Sequence, residues 1–181
     1  MNKSIKAAQG GFTLIELIVV IVILGILAAT ALPKFASLSG EARLASLNAA
    51  KGSLAATAAM THGKHLVAPA TAANPTISVE GTAVTMNLTS GYPSAINTAQ
   101  ATALATAAGL STADYTVYVA GNGATRPTVA AGQFAVVPNS IANTKTAAKC
   151  FVLYTTPTTV NTPPTISVGS PTNATAVSDC E

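Results

Sequence analysis

Charged side chains are scarce in this sequence: Lys, Arg, Asp and Glu make up 8% of it, so its surface cannot rely on charge repulsion for solubility and suits close packing of many copies. Tryptophan is absent. Of the four Phe and four Tyr, only Phe12 and Phe35 fall on the long amino-terminal apolar stretch, which leaves an aromatic relay for electrons along it unsupported. After Lys64 the basic residues are Arg126, Lys145 and Lys149, too few for a concentrated nucleic-acid patch. No glycine-rich phosphate loop follows a strand pattern, no Cys/His cluster has metal-ligand spacing, and no Ser/His/acid set stands out. The expectation is therefore a non-enzyme with no cofactor and no metal. His62 and His65, at i, i+3, read as a solvated helix end capped by Gly63 rather than a metal pair, since no third ligand is near. The sequons at Asn87 and Asn173 are explained by a Thr-rich composition.

What the chain does have is concentrated at its start. Gly10-Gly11-Phe12-Thr13-Leu14-Ile15-Glu16 runs into an almost wholly apolar stretch from Leu17 to Leu32. A carboxylate at the edge of such a stretch is expensive to bury unless paired. Cutting the chain after Gly11 would create the partner, because the new α-amine on Phe12 would lie one helical turn from Glu16. Lys3 and Lys6 precede the apolar run and keep that end in the cytoplasm, sending the carboxy-terminal part outside. A conventional signal peptide would be cut after the run, where Ala28-Ala29-Thr30-Ala31 offers small residues, but that leaves Glu16 unexplained. The formal charge of +3 is partly leader: of nine Lys and Arg, removing Lys3 and Lys6 leaves seven against six acids.

Phe12 to Leu32 as a helix spans about 31 Å, enough to cross a hydrocarbon core. Gly25 and Pro33 bracket its weakest part, since proline removes the hydrogen bond to the carbonyl of Ala29 and glycine costs about 1 kcal/mol relative to alanine. Beyond Pro33, Leu44, Leu47, Leu54 and Ala58 continue an apolar stripe, with Lys51 interrupting that face and Ala50 and Ala55 bordering it. A helix reaching His65 would be about 80 Å long, more than the remaining chain can cover.

The rest reads as a small α+β head. Ile77, Val79, Val84, Met86 and Leu88 alternate around Glu80-Gly81, the pattern of a hairpin. Pro93 and Gly109 frame an Ala-rich helix containing Ile96, Leu104 and Leu110. Strands are expected at Tyr115–Val119, Phe134–Val137 and Cys150–Tyr154, with turns at Gly121-Asn122-Gly123 and Pro138-Asn139. The Pro/Thr/Ser/Asn-rich stretch from Thr155 to Glu181 cannot hold itself down by burial. Cys150 and Cys180 both lie in the exported part, where disulfides persist, and a bond between them would close that tail as a loop.

Gly11-Phe12-Thr13-Leu14-Ile15-Glu16 resembles the prepilin peptidase site of type IV pilins and type II secretion pseudopilins. The resemblance extends through Val20 to Ala28 and Pro33-Lys34-Phe35, more loosely to Ala42-Arg43, and is most similar to the mannose-sensitive haemagglutinin kind of pilin. It covers the first quarter to third of the chain and stops by Leu66. It implies a lollipop of a leader at 1–11, a long helix at 12–66 whose residues 12–32 span the membrane and later form a fibre core, and an antiparallel-sheet head at 67–181. It also implies cleavage after Gly11 by a prepilin peptidase, N-methylation of Phe12, pairing of Glu16 with a neighbour's terminal amine, and melting between Gly25 and Pro33 on assembly. The implied partners are other copies of the chain, the peptidase, the inner membrane, and an inner-membrane assembly platform with its ATPase; nucleic acid is not among them. The function implied is that of a major pilin, in the inner membrane as precursor and in an extracellular fibre for adhesion, aggregation or motility after assembly. The rivals are a major pseudopilin of a secretion piston and a minor pilin for DNA uptake or adhesion. Pseudopilins of the major type commonly carry a calcium site in the head, whereas a carboxy-terminal disulfide is more typical of pilins. Cys150 and Cys180, with only Asp114, Asp179 and Glu181 as late acids, favour the pilin.

Overall fold

A computed structural model describes residues 12–170 and 173–181, of which 33–37, 170, 173 and 174 are described by backbone alone. The architecture is α+β. Helix α1 runs Leu14–Val67, followed by strands β1 (Thr76–Val79), β2 (Thr82–Asn87) and β3 (Tyr92–Pro93), helix α2 (Thr98–Ala107), and strands β4 (Tyr115–Gly123), β5 (Arg126–Pro138), β6 (Val152–Thr155), β7 (Thr165–Ser170) and β8 (Asn173–Ala174). The strands form two antiparallel sheets, β1-β2-β3 and β4-β5-β6-β7-β8. Short 3-10 turns lie at Thr146–Ala148 and Val177–Cys180. The chain divides into two compact units between Ala36 and Ser37.

In the carboxy-terminal unit, α1 buries Leu47, Ala50, Leu54, Thr57, Ala58 and Thr61. Spacings of three and four place these on one face, the stripe that packs on a core. Leu44 is half-buried, and Lys51 and Ala55 are exposed, so Lys51 does not interrupt the buried face and Ala50 belongs to it rather than bordering it. Polar side chains flank the stripe and tether the helix. The Ser46 hydroxyl meets the Tyr115 hydroxyl at 2.6 Å, Ser53 donates to the Ala108 carbonyl, and His62 Nδ1 lies 2.7 Å from the Gly91 carbonyl.

The middle of the five-stranded sheet is apolar without alternation: Phe134 to Val137 on β5 and Val152 to Tyr154 on β6 are all buried. Strands with no solvent face read as continuous runs. Tyr154 is the largest buried side chain; it tilts against Phe134 at 5.0 Å and donates its hydroxyl to the Pro93 carbonyl at 2.9 Å. That burial pushes its hydroxyl far above the ordinary tyrosine range. Two more bonds join the sheets: the Ala95 amide donates to Thr156 Oγ1 at 3.2 Å, and the Asn87 amide nitrogen to the Pro157 carbonyl at 3.1 Å.

The expected hairpin is present, with Val79 opposite Thr82 and a two-residue turn of Glu80 (φ 51°) and Gly81 (φ 77°). A left-handed non-glycine residue costs about 1–2 kcal/mol, so Glu80 is a strained occupant of a turn that favours Asn-Gly. Several expectations need correction. Helix α2 does not start near Pro93, which is paired in β3. Asn97 caps it, accepting from the Gln100 amide at 3.0 Å, and Ile96 lies outside it, exposed. Gly121-Asn122-Gly123 is not a turn but the bulged end of β4, whose register shifts on either side of Gly121. A backbone φ of 144° suits glycine there, and the reversal follows at Ala124-Thr125. β5 is correspondingly much longer than Phe134–Val137. The tail after Thr155 is held by β7, which pairs with β6 from Val152–Val168 to Thr155–Thr165 and packs Ile166 and Val168 on the core.

The chain's last residues fold onto the helix. Cys150 and Cys180 are disulfide-bonded, with Cα atoms 5.0 Å apart. Arg43 donates to the Cys180 carbonyl at 2.5 Å, and Thr146 to the Glu181 carbonyl at 3.0 Å. Gly40 makes the close approach possible, because a Cβ there would stand 2.8 Å from the Val177 carbonyl oxygen.

Candidate assembly site

The amino-terminal unit offers a different surface. From Leu14 to Leu32 α1 is long and apolar enough to cross a membrane, and within the chain none of it is buried. Its large aliphatic side chains are 45–75% exposed on every side of the helix, and Phe12 is 88% exposed. A helix apolar all round finds no stable state in water alone; lipid or other protein must cover it.

Glu16 sits in the first turn of this helix. Its Oε2 accepts from the Thr13 amide at 2.9 Å and the Thr13 hydroxyl at 2.7 Å, while the Glu16 amide donates back to Thr13 Oγ1 at 3.3 Å. This reciprocal arrangement is a capping box, in which two otherwise orphaned amides at the helix start are satisfied. The signal for it, Thr-x-x-Glu ahead of an apolar run, stands in the sequence. The two roles are compatible. The carboxylate is fixed beside residue 12, where an α-amine would arise on cleavage. Gly11, the residue expected to set that cleavage, lies outside the described residues, as do Lys3 and Lys6.

Gly25 and Pro33 lie within a continuous helix in the single chain. Thr30 lies between them, and its hydroxyl donates to the Leu27 carbonyl at 3.0 Å. Such back-bonding competes with the helical ladder and bends helices.

His62 and His65 do not form a solvated helix end, and Gly63 caps nothing, because α1 continues to Val67. The His62 ring stacks on Tyr92, centroids 4.0 Å apart and planes within 2°. His65 Nδ1 accepts from the Ala70 amide at 3.0 Å, closing the loop after the helix. Both imidazoles thus have structural work. Among the described residues no group of three or more His, Cys, Asp or Glu is placed to hold a metal ion. Asn87 is committed too, its Oδ1 accepting from the amides of Thr89 and Ser90 at 2.9 and 3.2 Å.

No solved structure matches the chain. Residues 6–32 match the family described as the prokaryotic N-terminal methylation motif, which supports a pilin-like or pseudopilin-like protein and fits a membrane-anchored precursor.

Proposed function

We propose that the chain is the precursor of a major type IV pilin, polymerising into a surface fibre for attachment, aggregation or motility. The observation that carries this reading is the uncovered apolar helix Leu14–Leu32 with one fixed carboxylate, Glu16, at its start. In the precursor, lipid covers the helix. A prepilin peptidase then cuts after Gly11 and Phe12 is methylated. The chain is the substrate of these steps, and the enzyme is another protein. An ATPase-driven platform in the inner membrane transfers the helix from lipid into a bundle of identical helices. A subunit in register meets a neighbour's Glu16 with its Phe12 amine, whereas one out of register leaves both charges buried and unpaired, at a cost of several kcal/mol. The segment from Gly25 to Pro33 melts to let the helices pack, aided by its missing backbone bond. The Cys150–Cys180 bond supports a pilin over a secretion pseudopilin, as does a head with few acids near its carboxy end.

The test is the intact mass of protein sheared from the outside of its host cells, before and after reduction. The reading expects abundant protein beginning at methylated Phe12 and two hydrogens lighter before reduction. Processed protein found only in the cell envelope would replace it with the pseudopilin.

A further inference from the structure

We propose that Glu80 of one copy pairs with Arg126 of the next, making this the polar head-to-head contact of the polymer. The inference rests on the filament reading above and adds to it the surface by which heads meet.

Among the described residues Arg126 is a cation without an anion. Its Nη2 donates to the Val119 carbonyl at 2.7 Å, its Cζ lies 5.2 Å from the Tyr118 ring centroid, and its buried Nε has no hydrogen-bond partner. The bulged end of β4 cradles it: a Cβ on Gly121 would stand 3.2 Å from Nη2, and one on Gly123 3.0 Å from Cγ. A guanidinium held this way has already lost most of its rotamer freedom, so little more is lost when a carboxylate docks on it. Of the unit's other cations, Lys51 and Lys145 are exposed lysines without such a cradle, and the remaining three are engaged. Lys149 pairs with Asp179 at 3.6 Å, Arg43 holds the Cys180 carbonyl, and Lys64 donates to the Ser78 carbonyl at 3.1 Å.

Among the exposed acids, Glu80 is singled out by its backbone. It occupies a left-handed turn position at φ 51° where asparagine or glycine would sit without strain, and its side chain has no partner among the described residues. Glu41, Asp114 and Glu181 are also exposed, but none carries such strain. Strain retained at an exposed tip points to use of the side chain it presents. Glu80 lies on the β1–β2 turn and Arg126 at the start of β5, in different sheets. A contact between them leaves a free Arg126 on one copy and a free Glu80 on the other. That is the head-to-tail arrangement that propagates a filament.

The experiment compares sheared fibre from cells expressing the full chain or its variants, with the head's melting temperature measured in parallel. Glu80→Arg and Arg126→Glu are each expected to lower fibre yield by about tenfold, because like charges then meet across the contact. Combining them is expected to restore about half the original yield, since the pair is rebuilt in reverse. Glu80→Asn, which requires no change at Arg126, is expected to raise the melting temperature by a few degrees while lowering fibre yield, a divergence that a purely structural role would not give. Unchanged yield in the single variants, or no recovery in the combined one, overturns the contact and leaves the filament reading standing. No fibre from the unsubstituted chain overturns the filament reading, and this contact with it.

Discussion

Residues 14–32 and 40–61 of α1 share one helical backbone and differ in what their side chains meet. In the first stretch every large aliphatic side chain is exposed, whichever way it points. In the second, apolar residues recur every three or four positions and disappear into a core with the sheets, while Arg43, Ser46, Ser53 and His62 tether the flanks. The second stretch is stabilised by its own chain. The first has no such partner among the described residues, and on the proposed function lipid and then other copies supply one. Helix propensity is nearly irrelevant to the difference, because packing of a face decides most helical stability in proteins.

Truncating one leucine in each stretch, buried Leu54 and exposed Leu24, separates the two most strongly. Leu54→Ala should destabilise the head by about 2–5 kcal/mol, the usual range for a core cavity, whereas Leu24→Ala should leave its thermal unfolding unchanged. Equal shifts in a melting curve would show that the first stretch packs within its own chain after all.

Next in size comes the tail that α1 holds. Cys150→Ser with Cys180→Ser should cost about 3–4 kcal/mol in the chain-entropy view of a 30-residue separation. It should also expose the segment after Thr155 to proteolysis, while the helix survives. Far-ultraviolet dichroism and limited digestion of the same sample would distinguish a freed tail from a collapsed head.

The smallest contrast uses two glycines. Gly25 has nothing within 4 Å of where a Cβ would stand, so Gly25→Ala should strengthen the helix by about 1 kcal/mol. At Gly40 the same change meets the Val177 carbonyl and Glu181, so Gly40→Ala should weaken the head by about 1–3 kcal/mol instead. Opposite signs in helicity and head stability are expected, and a gain at both positions would remove the tight docking of the chain's end on α1.

The same division explains what could be read from the sequence. The apolar run and the Glu80-Gly81 hairpin were legible because each has a local signature, and the Cys150–Cys180 bond because the chain has two cysteines. The tail strand β7 was missed although Ile166 and Val168 alternate and pack on the core, since Pro and Thr around them dominate the composition. Lys51 and Gly63 were misplaced because three- and four-residue spacing fixes a face only once the partner surface is known. Gly121-Asn122-Gly123 has turn composition, yet a long β4–β5 pairing with a bulge won over local preference. Arg126 had no sequence signal at all, because its cradle exists only once β4 and β5 pair.

The most direct test of the account lies at Glu16. Glutamine at this position keeps the capping box with Thr13 but removes the charge, so Glu16→Gln separates helix capping from intersubunit pairing. The measurement is the mass of the processed subunit together with the amount of fibre sheared from the cells. The account predicts a subunit still cleaved after Gly11 and a fibre yield reduced by about tenfold or more. Normal fibre yield from this variant would contradict it.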